Sequence, residues 1–333
     1  MNRSWGKSLS AYRKRLELGV VSVTGYISRF LPTIRRRWRG RDPNSQSNKH
    51  AIYVHYDESG KIDEFVKFHL NAISQLGFRL TFVSNSPRLD EHDVSLIQNV
   101  CREILLRRNI GYDFGAYSEG VRAIGNLNKV QSLILANDSV YGPLFPLAKY
   151  INNFDPSVFD IWAMTDSREI TYHLQSYFLL VHKSAIDSKA FRAFWRRYPY
   201  VNGKQWVVRL GEIGFSQKMQ SSGLRLGAQF SCQDAESRRS GVIDQLAHDS
   251  DEPAIAEFLQ RLKNSERDAD TYNPTHYYWD HLIRSERYPY IKRDLVRNNP
   301  ANIPTALHWE YLLDSYTNYD SSIITHHLGQ SKK

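Results

Sequence analysis

The sequence predicts an α/β protein: a mostly parallel sheet flanked by helices, with a basic N-terminal arm before it and a helical part after it. Two observations carry this expectation. From His50 to Pro143, short apolar runs alternate with segments whose apolar residues recur at helical spacing, a βαβαβαβ succession. Polar and acidic residues follow the ends of those runs, which is where open α/β sheets bind ligands.

The first strand, residues 51–57, ends in the carboxylate of Asp57. Ile62, Phe65, Val66, Leu70 and Ile73 then recur at helical spacing, and Gly77 closes that helix. Residues 78–85 read as the second strand. Val94, Leu96, Ile97 and Val100 mark a second helix, on whose apolar run Cys101 reads as a small core residue. The third strand, 103–106, leads into Asn109-Ile110-Gly111-Tyr112-Asp113, and a helix over 115–124 follows. The fourth strand, 132–136, ends in Asn137-Asp138-Ser139. Parallel strands joined in this way require right-handed crossovers.

Past Pro143 the period changes. Residues 159–164 and 172–181 read as strands, while Phe191, Phe194 and Trp195, and later 206–219, suggest helices. The charged, Ser-rich stretch 233–270 is either a helical insertion or an exposed loop. Residues 273–300 are structured and aromatic, and the chain after Asp320 is weakly patterned. The domain reading is an amphipathic arm and linker over 1–49, one α/β domain over 50–310, and a tail over 311–333.

Composition narrows the class. The 333 residues are 41% hydrophobic and 24% charged, enough for one large soluble domain. An aromatic content of 13%, with 20 Tyr and 7 Trp, suits either sugar rings or dense packing. Two cysteines, Cys101 and Cys232, make no disulfide framework and lack metal-ligand spacing, which implies a reducing compartment. Residues 1–50 hold twelve Lys and Arg against two acidic residues, so the net charge of +9 belongs to the arm. The apolar stretch 18–31 is interrupted by Arg29 and is too short to span a membrane. No signal-cleavage pattern follows it. With Arg35-Arg36-Arg37-Trp38-Arg39 behind it, it suits an anionic membrane surface, where each basic side chain contributes ~1 kcal/mol. A plain tail, an arm on another subunit, and nucleic acid are the alternatives; nucleic acid rests on the arm alone and is not the expectation adopted.

Three strand ends are candidate sites. Asp57 could accept hydrogen bonds from a base or ribose, or simply form the turn ahead of Glu58-Ser59-Gly60. Asn109, Gly111 and Asp113 make a tight turn in which glycine permits close approach of a nucleotide. Asn137 and Asp138 follow a buried strand, where a carboxylate could hold Mg²⁺ or Mn²⁺ bridging two phosphates, or cap a turn. This order of turn, helix and acidic turn is the one seen in GT-A glycosyltransferases. The segment from Gly211-Glu212-Ile213 to Gly223 is similar to the pattern in which inverting GT-A enzymes carry their general base, and Glu212 occupies the carboxylate position. The alternative is an exposed glutamate on an amphipathic helix.

Several spaced motifs resemble the rhamnan synthesis protein F family of bacterial polysaccharide glycosyltransferases. They are Val54-His55-Tyr56-Asp57, Asn109 through Tyr117, Asn137 through Pro143, Trp162 through Ser167, His173 through Phe178, Asn273 through Trp279 and Pro289 through Arg293. The resemblance implies a GT-A-like fold and sugar transfer from a nucleotide-sugar donor to a lipid-linked or polysaccharide acceptor of O-antigen, capsule or rhamnan type. It implies work at the cytoplasmic face of the membrane, contact with other polysaccharide-assembly enzymes, and a divalent cation, Mg²⁺ or Mn²⁺, on Asp138. Asp57, Asn109, Gly111, Asp113 and Asn137 would hold the nucleotide. His173, Gln175, Ser176 and Tyr177 would line the sugar or acceptor pocket, and Glu212 would take the acceptor proton. Lys292 and Arg293 read as a surface salt bridge in preference to phosphate contacts. The acidic turn is Asn-Asp-Ser and not Asp-x-Asp, one carboxylate short. A non-catalytic glycan-binding or scaffolding subunit with the same fold is the competing class.

Overall fold

In a computed structural model, the described residues are 21–330 apart from 22, 239–240, 242, 245–252 and 269–272; side chains of 264–268 are left aside. The four expected strands are β2 (Lys49–His55), β3 (Arg79–Ser84), β4 (Cys101–Arg107) and β5 (Ser132–Asn137). They lie side by side and parallel in the order β4-β3-β2-β5. Their side chains alternate between two cores, because successive residues of a strand point to opposite faces. Ala51 and Tyr53 enter one core with helices Glu64–Gln75 and Glu91–Ile97. Ile52 and Val54 enter the other with helix Tyr112–Ile124. That double cover is why these strands read as unbroken apolar runs. Helix Tyr112–Ile124 comes so close to the sheet that a Cβ on Gly120 would lie 2.5 Å from Ile52 Cγ2.

Beyond β5 the sheet continues as β9 (Phe178–His182), β7 (Ile161–Ser167) and β10 (Leu226–Phe230), with the pair His173–Leu174 (β8) against the end of β7. β9 is antiparallel to both its neighbours, whereas β10 is parallel to β7. The sheet is therefore mixed but mostly parallel, as expected.

Several expectations change. Ile34–Arg39, assigned to the arm, is β1, antiparallel to β4 at the sheet edge. Its arginines face solvent, the usual protection of an edge strand against pairing with another chain. The rest of the arm up to residue 20 lies outside the described residues. Cys101 opens β4 and is not on a helix, because helix Glu91–Ile97 ends a turn earlier than its apolar residues suggest. The single strand expected over 172–181 is two, parted at Gln175–Tyr177. The weakly patterned tail forms helix Ser322–Gln330, whose His327 is buried and hydrogen-bonds the Tyr141 hydroxyl at 2.7 Å.

Candidate active site

The chain passes from β2 outward to β3 and β4, then returns to place β5 on the other side of β2. This reversal leaves a crevice at the carboxyl ends of β2 and β5, the point where open α/β sheets take ligands. Asp57 follows β2, and Asp138 follows β5. The two strand ends are tied together: Tyr56 N–H donates to Asp138 Oδ2 at 3.2 Å, and Asp138 N–H donates to the Val54 carbonyl at 3.2 Å.

Two clefts open there. The inner one, about 300 Å³, is lined by Asp113, Asn137, Ser176, Tyr177, Glu212 and Lys292, with Tyr112, Ser139 and Lys204 at its walls. Glu212 sits in a π turn, Val208–Ile213, inside the helical run from Lys204 to Gln220. Such single wide turns inside α-helices are frequent at functional positions. The Ser176 N–H and hydroxyl both donate to Glu212 Oε1, at 3.1 and 2.6 Å. No protein donor reaches Oε2 among the described residues. Asp113 lies in the first turn of helix Tyr112–Ile124 and accepts from Asn137 Nδ2 at 3.1 Å. Burial, and then the charges of Asp138 and Glu212, push its carboxyl up to about 7. Lys292 arrives from the far end of the chain on β11 (Ile291–Lys292), which pairs antiparallel with β6 (Val140–Tyr141) just after the acidic turn. Its ammonium lies 4.0 Å from the centre of the Tyr177 ring. Burial brings it down to about 8 against the opposing pull of Glu212.

The outer cleft, about 490 Å³, is lined by Tyr56, Asp57, Lys61, Asp63, Arg293 and His327 among others. Asp57 Oδ1 accepts from Ser59 Oγ at 2.5 Å and from Lys61 N–H at 3.0 Å. Burial works against its charge, but these hydrogen bonds win and its carboxyl is lowered. Arg293 Nη1 lies 2.9 Å from Asp138 Oδ2 and 2.6 Å from the Asp138 carbonyl. Burial opposes that cation, and Asp138 with Tyr141 and Tyr53 more than restores it.

This arrangement bears on the expected divalent cation. Asp138 Oδ2 is already taken by a guanidinium and a backbone N–H. Asp113 is held by an amide donor. Among the described residues no group of three or more His, Cys, Asp and Glu could hold a metal ion. A cation at Asp138 would therefore have only its Oδ1, since the guanidinium and the backbone N–H share Oδ2.

The profile of the family described as rhamnan synthesis protein F matches residues 80–251, just over half of the chain. The chain belongs to the rhamnan synthesis protein F family. The matched stretch contains the inner-cleft residues Asp113, Asn137, Ser176, Tyr177, Lys204 and Glu212. Among curated relatives of this family member, an uncharacterized protein y4gN of Sinorhizobium fredii is 30% identical over 200 residues, 59% of this chain and 51% of that protein. Virulence protein VirA of Vibrio anguillarum is 29% identical over 210 residues, 61% of this chain and 65% of that protein. The chain thus spans about half to just under two thirds of the length of these relatives. Similar solved structures include the galactosyltransferase LgtC in complex with donor and acceptor sugar analogs, at 9% identity and a TM-score of 0.36, covering 81% of this chain and 98% of that one. The glycosyltransferase GlyE of Streptococcus pneumoniae is similar at 11% identity and a TM-score of 0.37, covering 86% of this chain and 64% of that one. At these values no residue correspondence is carried over.

Of the residues singled out in this family member's sequence, Asp113, Asn137, Ser176, Tyr177 and Glu212 meet in the inner cleft. Asp57 lies in the outer cleft, and Asp138 sits between the two strand ends. The others do not reach either cavity. Asn109 is exposed on the approach to the turn. Gly111 has a φ of 82° and lies against Tyr200, where a Cβ would sit 3.0 Å from Tyr200 Cα, so backbone conformation and packing already require glycine there. His173 Nδ1 bonds the Thr171 carbonyl at 2.8 Å, and the Gln175 Oε1 accepts from Thr165 Oγ1 at 2.5 Å. Both side chains turn inward because the break between β8 and β9 presents only Ser176 and Tyr177 to the cleft. The exposed-helix alternative for Glu212 fails, since the π turn directs it inward. The surface reading of Lys292 and Arg293 also fails: one lines the inner cleft, and the other makes a largely buried pair with Asp138. Lys204 went unrecognised, and Ser139 and Tyr112 were read only as parts of their turns. Tyr112 carried a readable signal, an aromatic residue directly after Gly111, and it holds a left-handed φ of 47° while exposed at the cavity.

Proposed function

We propose that this chain is a glycosyltransferase of polysaccharide synthesis, moving a sugar from a nucleotide-sugar onto a growing cell-surface glycan. The carrying observation is Glu212, fixed by two donors from Ser176 on one oxygen and open on the other, in a cleft at the strand-order reversal. Family membership supports the same reading. In this reading the acceptor hydroxyl lies at Glu212 Oε2. Its oxygen attacks the anomeric carbon, its proton passes to the carboxylate, and the electron pair of the breaking bond leaves with the nucleoside diphosphate. The donor sugar occupies the inner cleft, and the nucleoside extends towards Tyr56 and Asp57.

The test is a panel of UDP-, GDP- and dTDP-sugars assayed for turnover and, by calorimetry, for binding. At least one donor should turn over, and Glu212→Gln should cut kcat by roughly 10²- to 10⁴-fold, the usual worth of a general base, while donor affinity stays within about twofold. An unchanged kcat in that variant would remove the general base. Glycan binding with no turnover of any donor would leave a binding subunit instead of an enzyme.

Peripheral attachment to an anionic membrane is part of the same proposal. Val23, Ile27, Phe30 and Leu31 are at least half exposed ahead of the Arg-rich edge strand. Among the described residues no helix is long and apolar enough to cross a membrane. Removing residues 1–31, which spares β1, should abolish sedimentation with anionic vesicles and leave turnover intact.

A further inference from the structure

We propose that the donor diphosphate is held by the ammonium groups of Lys292 and Lys204 in the inner cleft, with Arg293 standing at Asp138 in place of a divalent cation. This deepens the donor reading above and rests on it.

Three observations carry the proposal. First, Asp138 Oδ2 is occupied, which leaves only Oδ1 for a cation. A cation bound to its Oδ2 would meet the Arg293 guanidinium, which already lies 2.9 Å from that oxygen and also bonds the Asp138 carbonyl. Arg293 cannot easily leave, because it packs over the Phe65 ring and its backbone N–H bonds the Ser139 carbonyl at 3.0 Å. Second, Lys292 has no carboxylate within ion-pair distance among the described residues, although it is half-buried on the Tyr177 ring. A partly buried ammonium without an anion is unfavourable, and it is stabilised when an anion arrives. Third, Lys204 stands across the same cleft, exposed, at the start of the helical run that carries Glu212. Two ammonium groups thus flank the space in front of the proposed base.

The chemistry balances without a metal. As the bond between the anomeric carbon and the diphosphate oxygen breaks, its electron pair stays on that oxygen. Lys292 and Lys204 donate hydrogen bonds to the charge that develops there, and the acceptor proton goes to Glu212. Fixed cations aimed at a leaving group supply the kind of stabilisation that a metal ion supplies elsewhere. The low proton affinity of Lys292 in the free cleft fits an ammonium waiting for an anion, and binding should draw in a fraction of a proton near pH 8.

The experiment is calorimetry of the full chain with UDP, GDP and dTDP, each with excess Mg²⁺ or Mn²⁺ and again with EDTA. The expected result is binding of at least one nucleotide with a Kd that agrees within about twofold in all conditions. Lys292→Gln should weaken that binding roughly tenfold or more, the worth of one charge-assisted hydrogen bond, and Lys204→Ala should weaken it less. Lys292→Arg should restore most of the affinity, which separates loss of charge from loss of fold. Binding that requires the divalent cation would overturn this inference and leave the donor reading standing. Metal-free binding unaffected in both lysine variants would overturn the assignment of the lysines. No binding of any nucleotide, with or without metal, would overturn the donor reading and this inference with it.

Discussion

The two clefts each contain an aspartate at the end of the crevice, and the two aspartates behave in opposite ways. Asp57 in the outer cleft is wrapped by its own turn, with the Ser59 hydroxyl and the Lys61 N–H on one oxygen, and its carboxyl is lowered in spite of burial. Asp113 in the inner cleft has one amide donor, sits near two other carboxylates, and is raised to about 7. The cations divide likewise: Arg293 is paired with Asp138, while Lys292 faces the inner cavity unpaired among the described residues. In the outer cleft, Asp57 and Arg293 are already satisfied by the protein. The inner cleft holds charges that only a ligand completes. Perturbed groups of that kind mark sites of chemistry more often than sites of structure.

That contrast can be broken or sharpened, and Asp138→Ala should have the largest effect. Removing one partner of a largely buried ion pair leaves Arg293 uncompensated and should destabilise the fold by about 3–5 kcal/mol, measured by denaturant unfolding. Replacing Arg293 by Met in the same chain should recover much of the loss. A carboxylate reserved for a metal would instead cost activity with little loss of stability.

Next is Asp113→Asn. A carboxyl raised from its ordinary value to about 7 favours the folded state below the unfolded value, and that stability is lost as pH rises through about 7. The Asn variant should therefore be more stable than the parent by about 2 kcal/mol at pH 8, discounted from the full shift for partial exposure, and close to it near pH 4. Its turnover should fall. Equal gains at both pH values would mean that the site does not strain this carboxylate.

Lys292 gives a smaller effect in the same direction of pH. Donor affinity should be steady below pH 8 and decline above it as the ammonium is lost, and Lys292→Arg should move that decline out of range. The smallest effect belongs to Asp57→Asn. Its lowered carboxyl contributes stability above the unfolded value that is lost as pH falls, so the variant should lose under about 1 kcal/mol at pH 7 and nothing near pH 2. A loss of donor affinity beyond tenfold would promote Asp57 from turn former to nucleotide ligand.

The sequence by itself determined the parallel half of the sheet, from β2 to β5, and the position of Asp113 and Asn137 at strand ends. Apolar runs and helical spacing are local patterns, and parallel strands covered on both faces leave them strong. Glu212 was also legible, through a motif confined to one helical run. Tertiary structure decided the rest. β1 escaped because an arginine-rich edge strand buries only part of Ile34 and Trp38 against the cores. His173 and Gln175 lie outside the inner cleft because a break between β8 and β9, invisible in their composition, turns their side chains to Thr171 and Thr165. Above all, Lys292 and Arg293 reach the crevice through a two-residue ladder with β6 and a contact 155 residues distant in sequence. No local pattern encodes a pairing that distant, so only the folded chain reveals that one basic dipeptide supplies a partner for Asp138 and an unpaired cation for the inner cleft.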